Sequence, residues 1–216
     1  MMGHQVNNDA RRLVIETASE ACSVALFEGE RLIAHDHRVL GRGHAEALVP
    51  MIADLPERGK AQEILVSLGP GSFTGVRIGI ASARALGVAW GAQVLGYPSL
   101  ALIAAIAREE TGESEITVCI NGGHGEFFVQ NFGAQGPKDD VRSLPPEAAR
   151  TFAKGAVIAG NKADALAEDT ENATHALSIL PDARKAHLLN PDILTHAITP
   201  IYGRGPDAIP QKQRSA

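Results

Sequence analysis

The hydrophobic and polar positions of this chain alternate in short runs, then fall into a helical rhythm, and then do so again more faintly. Residues 13–17 form an apolar strand that enters the polar turn Ala18-Ser19-Glu20. Residues 22–27 read as a second strand, Glu28-Gly29-Glu30 as a turn, and residues 31–39 as an alternating third strand. Three such strands in succession predict an antiparallel meander. Leu48, Met51, Ile52 and Leu55 then share one face of a helix over about residues 44–55. Pro50 sits either in the first turn of that helix or at a kink. A polar link, 56–63, leads to a buried strand at 64–68, which Gly69-Pro70-Gly71 stops. Ser72 stands at the N-cap of a long helix running to Trp90, and residues 94–97 make a fifth strand closed by Pro98.

The second half repeats this scheme with shorter elements. A helix is expected over 100–110, then strands at 116–120 and 126–132 joined by Asn121-Gly122-Gly123-His124-Gly125. A short helix at 145–152, a strand at 156–159 and a helical stretch at 182–197, broken at Asn190-Pro191, follow. From Thr199 onward proline, glycine and charge predict partial disorder. The first half therefore spells β-β-β-α-β-α-β, and the whole reads as two α/β lobes of related design, the second eroded.

The long helix carries the strongest constraint. Gly75, Gly79, Ala83 and Gly87 recur every fourth residue and leave one side nearly bare. Each helical glycine costs about 1 kcal/mol relative to alanine, so a close-packed neighbour has to return that energy. Small-every-fourth patterns let two helices approach, which makes a second helix the expected neighbour. Arg77 and Arg84 argue against a membrane span. No Asp or Glu occurs anywhere in residues 64–108, so that stretch is buried in the core or against a partner.

Composition narrows the classes. The 216 residues are 44% hydrophobic and 21% charged with net charge −5, which suits a soluble globular protein and does not advertise nucleic acid. The polar first twelve residues lack the apolar core of a signal peptide, and Cys22 and Cys119, each in an apolar run, read as buried thiols of a reducing, cytoplasmic compartment.

Candidate chemistry is thin. Gly69-Pro70-Gly71 before a helix invites a phosphate site, yet no lysine occurs between Lys60 and Lys138 to complete a P-loop. Thr74 stands where a dinucleotide fingerprint needs its last glycine. Ser72 lacks the Gly-x-Ser-x-Gly setting of a hydrolase elbow and is better placed as a cap. His35-x-His37 has a metal-compatible spacing without a third ligand. Glu16, followed by Thr17 and Ser19 at a strand end, has the residue types that hold Mg²⁺-nucleotide in phosphotransferases, and also those of an ordinary turn.

Three blocks together resemble the bacterial TsaB (YeaZ) family: the run from Glu16 to Leu26, His44 with Leu48-Val49-Pro50-Met51, and Gly69-Pro70-Gly71-Ser72-Phe73-Thr74-Gly75-Val76-Arg77-Ile78-Gly79. The likeness is close over about the first 105 residues and loose beyond. It implies an α/β fold of the actin-like ATPase (ASKHA, ribonuclease H-like) type, two lobes with mixed β-sheets and the second reduced. On that reading residues 1–98 are the lobe with the dimerisation helices, 99–200 the reduced lobe and 201–216 a flexible tail. The implied role is a non-catalytic partner of the TsaD paralogue in N6-threonylcarbamoyladenosine modification of tRNA, with a TsaE-type ATPase joining the complex. A homodimer is implied when the chain is alone, and no membrane is involved. The implied partner face is His44, Leu48, Met51, Gly75, Gly79, Ala83 and Gly87. Ser99 and Ile103 stand where the paralogue carries metal-binding histidines, so no metal, cofactor or catalytic residue is expected. The family's Asp-Thr, Asp-Ala-Arg and Pro-x-Tyr-Leu-Arg are replaced by Glu16-Thr17, Asn121-Gly122-Gly123 and Pro200-Ile201-Tyr202-Gly203-Arg204. A free-standing hydrolase using Ser72 and an autonomous ATPase are the competing readings.

Overall fold

The computed structural model describes residues 10–168, 170 and 175–203. Its first sheet is built from β1 (Arg11–Glu16), β2 (Ala21–Glu28), β3 (Arg31–Val39), β4 (Glu63–Ser67) and β5 (Gln93–Tyr97), in the order β3-β2-β1-β4-β5. The β1–β2–β3 meander is antiparallel, with a bulge in β3 at Ile33, opposite Leu26 and Phe27, while β1, β4 and β5 run parallel. That is the order and sense of strands expected for an actin-like, ribonuclease H-like lobe. The central strands are apolar at nearly every position because both faces of the sheet are covered. Leu13, Ile15, Val24 and Val66 point to one layer, and Val14, Ala25 and Leu65 to the other.

The first layer holds α1 (His44–Ala53) and α2 (Phe73–Trp90). Pro50 lies inside α1, not in its first turn, and faces solvent, where the ring displaces no packed neighbour. Ser72 caps α2 as expected, its Oγ accepting the Gly75 N–H at 3.2 Å, and Gly91 closes the helix in the left-handed conformation.

The glycine stripe corrects the expected partner face. It points inward and packs on the chain's own sheet and turn. A Cβ on Gly75 would lie 2.0 Å from the Thr17 carbonyl oxygen. One on Gly79 would meet Thr17 Oγ1 at 2.4 Å, and one on Gly87 would meet Val94 at 2.5 Å. Ala83 is fully buried, as are Leu48 and Met51, and His44 is nearly so. None of the seven residues is therefore available to a second chain. The physics of the stripe was sound, since small residues mark close approach. The neighbour is a strand end and its turn, not another helix.

The second layer is α3 (Ser99–Thr111), buried at every position from Ser99 to Ala107 except for slight exposure at the edge. It packs on the first sheet through Leu95 and Tyr97 and on the second through Ile116, Val118, Phe128 and Val157, all in one apolar cluster. Within the acid-free stretch 64–108, β4, the inward side of α2 and α3 are thus core, while the outward side of α2 is exposed. The second sheet comprises β6 (Ile116–Gly123), β7 (Glu126–Gly133), β8 (Gly136–Pro137), β9 (Arg142–Leu144), β10 (Val157–Ala159) and β11 (His175–Leu177). Its order is β11-β10-β6-β7-β8, and β9 pairs β7 over Phe127–Val129 on the same edge as β8. Two short helices, α4 (Pro146–Phe152) and α5 (Ala163–Ala167), cover its far face over Cys119, Val129 and Ile158. Both cysteines are free and buried, and burial pushes the Cys22 thiol up to about 11 and that of Cys119 to about 12.

The expected helix over 182–197 is instead two 3-10 turns, Ala183–Leu188 and Pro191–Ile193. Asp182 and Asn190 each accept the N–H two residues on, which satisfies the backbone locally and competes with a continuous helix. The chain then returns to the first sheet. Thr195 pairs with Gly96, Arg84 donates to the Ile198 carbonyl at 2.5 Å, and the Ile201 N–H donates to the Leu68 carbonyl at 2.7 Å. Residues 201–203 of the expected flexible tail are thus held in place; residues 204–216, like the polar residues 1–9, lie outside the described residues.

Candidate functional site

Where β1 ends, the sequence Glu16-Thr17-Ala18-Ser19 meets the turn that follows β4. The Ser72 N–H donates to the Ala18 carbonyl at 2.7 Å, and Thr17 Oγ1 donates to the Gly75 carbonyl at 2.9 Å. A Cβ on Gly71 would fall 2.0 Å from the Ala18 oxygen, so the Gly-Pro-Gly-Ser-Phe-Thr-Gly block is dictated by turn-on-turn packing. Ser72 is a helix cap beside this contact, and the hydrolase reading finds no support in its bonding.

Glu16 is sealed beneath these turns. Its carboxyl accepts the Ala18 N–H at 2.7 Å and the Tyr97 hydroxyl at 3.2 Å. Ser67 and Ser99, hydrogen-bonded to each other, complete the group. Burial pushes the Glu16 carboxyl up to about 7, against the pull of Ala18, Ser67, Tyr97 and Ser99. Burial and the Glu16 carboxylate together drive the Tyr97 phenol well above its ordinary value. This is a packed polar knot tying β1 to β4, β5 and α3, not a carboxylate presented to a metal.

Beside the knot, a cleft of about 1010 Å³ opens between the two sheets. The β1–β2 turn (Ser19, Glu20), the start of α2 (Phe73, Arg77) and the β6–β7 hairpin (Asn121, His124) all line it. Ile103, Ile120, Phe128, Ile179 and Leu180 supply its apolar wall. At the rim the Arg77 guanidinium lies 3.7 Å from the centre of the Phe73 ring and donates to the Tyr202 hydroxyl at 3.0 Å. Ser99 and Ile103 both reach the cleft, as a hydroxyl already bonded to Ser67 and a core aliphatic.

The histidines singled out from the sequence, His35, His37 and His44, stand elsewhere. His44 is buried with Nε2 3.2 Å from the Ala21 carbonyl. His37 Nδ1 lies 3.7 Å from Asp182, and His35 Nε2 lies 3.2 Å from Arg184. Burial pushes the Asp182 carboxyl up, but the hydrogen bonds from Arg184, with His37 nearby, outweigh it and hold the group below its usual value. Among the described residues no three His, Cys, Asp or Glu side chains gather as a metal site.

Sequence reading missed Glu20, Asn161 and the Phe73–Arg77–Tyr202 stack. Glu20 read as turn chemistry, and its amide partner Asn161 lies 141 residues away. Glu20, Phe73, Arg77 and Tyr202 lie in blocks the sequence singled out, but nothing in those blocks shows which of them meet across the cleft.

The comparisons with known proteins agree with this architecture. The family model described as "TsaD: tRNA N6-adenosine threonylcarbamoyltransferase" matches residues 38–187. The "tRNA threonylcarbamoyladenosine biosynthesis protein TsaB" of Escherichia coli is 36% identical over 123 residues, 55% of this chain and 53% of that protein. Its Haemophilus influenzae counterpart is 31% identical over 139 residues, 61% of this chain and 56% of that protein. YeaZ from Pseudomonas aeruginosa superimposes with a TM-score of 0.78 at 27% identity, covering 89% of this chain and 99% of that one. The chain belongs to the TsaB (YeaZ) family of TsaD-like proteins. It spans about half the length of the curated TsaB relatives it matches by sequence, while the YeaZ likeness extends over both sheets. No helix among the described residues is long and apolar enough to cross a membrane.

Proposed function

We propose that this chain is a non-catalytic partner and activator of a TsaD-type paralogue in the cytoplasmic modification of tRNA. The observation that carries this reading is the fate of the two positions matching the paralogue's metal histidines. Ser99 is spent on Ser67 within the Glu16 knot, and Ile103 is fully buried core, so neither is a ligand for a metal. On this reading residues 1–98 form the lobe that binds partners, and 99–200 a reduced lobe. A TsaE-type ATPase joins the complex, and the chain pairs with itself when alone.

The stripe being buried, the partner face moves to the outer side of the same two helices. Ala45, Val49 and Ala53 on α1 and Ala81, Ala85 and Val88 on α2 are exposed, Val88 at 88% and Val49 at 61%. Both helices cover the same face of the first sheet. Exposed aliphatic residues at helical spacing, with no acidic residue among those on α2, suit another helical surface.

The test mixes the chain with the TsaD-type paralogue, an activated threonylcarbamoyl donor and substrate tRNA. A one-to-one complex that modifies tRNA, and that Val88→Arg and Ala85→Arg dissolve without lowering the chain's own melting temperature, supports the reading. Threonylcarbamoyl transfer by the lone chain, or association untouched by both substitutions, defeats it.

A further inference from the structure

We propose that the cleft between the sheets is a binding site for an organic cation, an ammonium or guanidinium group carried on an apolar body. Glu20 is the anchor. Its carboxylate is half-buried in the cleft wall, where Asn161 Nδ2 donates to both oxygens at 3.0 and 2.8 Å. Asn161 is held in turn by accepting the Asn121 N–H at 2.9 Å, so the carboxylate is fixed from across the cleft. No Lys, Arg or His among the described residues pairs with it. Arg77, the arginine of the lining, is committed to the Phe73 ring and the Tyr202 hydroxyl. A fixed, half-buried carboxylate that meets no cation among the described residues is half of an ion pair, and a ligand can complete it.

The rest of the lining sets the body of that ligand. Ile103, Ile120, Phe128, Ile179 and Leu180 offer an apolar wall, and the volume of about 1010 Å³ accommodates a bicyclic ring system. The same arrangement disfavours a nucleoside polyphosphate. Through Asn161 the Glu20 carboxylate is tied to the Asn121 backbone of the facing hairpin, and the described lining has no lysine, only Arg77, held by Phe73 and Tyr202, and His124, to offset added negative charge.

Calorimetric titration of the whole chain tests this with two probes of one shape and opposite charge, tryptamine and indole-3-propionate, and with ATP and Mg²⁺. Tryptamine is expected to bind saturably and at least about tenfold tighter than indole-3-propionate. Glu20→Gln, which keeps an oxygen for Asn161 and removes the charge, is expected to weaken tryptamine about tenfold. Leu180→Lys, placing a cation in the wall, should weaken it too. The proposal is overturned if tryptamine does not saturate, if the two indoles bind alike, if both substitutions leave tryptamine unchanged, or if ATP displaces it.

Discussion

Along α2 the inward residues Gly75, Gly79, Ala83 and Gly87 and the outward residues Ala81, Ala85 and Val88 are all small or aliphatic, yet one set lies sealed under the chain's own sheet and the other stands in solvent. The inward glycines are fixed by close neighbours: the Thr17 carbonyl at Gly75, the Thr17 hydroxyl at Gly79 and the Val94 side chain at Gly87 leave no room for a Cβ. The outward set has no such contact within the chain. Small residues at helical spacing thus report that something comes close, be it the Thr17 carbonyl at Gly75 or the Val94 side chain at Gly87. They do not say which chain supplies it.

The largest effect that can break this comparison is Gly79→Leu. Its side chain must enter space held by Thr17, Ile15 and Val66, and a loss of about 3 kcal/mol or more, up to complete unfolding, is expected in urea denaturation. A variant of native stability that merely fails to associate would return the stripe to the surface.

Next comes Glu16, beneath the same inward contact. Its folded value of about 7 against 4.5 means that below pH 4.5 both states are protonated and nothing is lost. As pH rises from 4.5 to 7 the unfolded chain sheds the proton first, so stability falls, by about 3 kcal/mol in all, and then levels off. Glu16→Gln should flatten that decline in chemical melts between pH 5 and 8, on the order of the same units. A decline that persists unchanged would show that Glu16 titrates as an ordinary exposed acid.

Smaller still is Ser72→Ala, which removes the cap at α2's start and should cost about 1 kcal/mol without dissolving any complex. Least of all for stability is Val88→Arg, expected within about 0.5 kcal/mol of the native chain. Its effect belongs entirely to association, and a large loss of stability would mean that the outward face is also structural.

Much of the fold was legible because its signals are local. The continuous apolar runs of β1, β2 and β4 and the Ser72 cap follow from residues adjacent in sequence. The stretch 182–197 misled because Leu188, Leu189 and Ile193 imitate a helical spacing, while Asp182 and Asn190 close their turns within two residues. The cleft was illegible for a different reason. Glu20 meets Asn161, and Phe73 and Arg77 meet Tyr202, only after the chain has crossed both sheets. Separation of that kind leaves no periodicity to read.

The placement of α3 has a mechanical consequence. Because one apolar cluster runs from Val14 and Leu65 through Leu100, Leu102 and Ile106 to Val118 and Val157, the two sheets have no greasy seam at which to part. Neither can pivot on the other without tearing interdigitated side chains from a close-packed interior. The molecule is then a jaw with a welded joint. Heat is accordingly expected to melt both halves as a single cooperative unit, one transition in calorimetry.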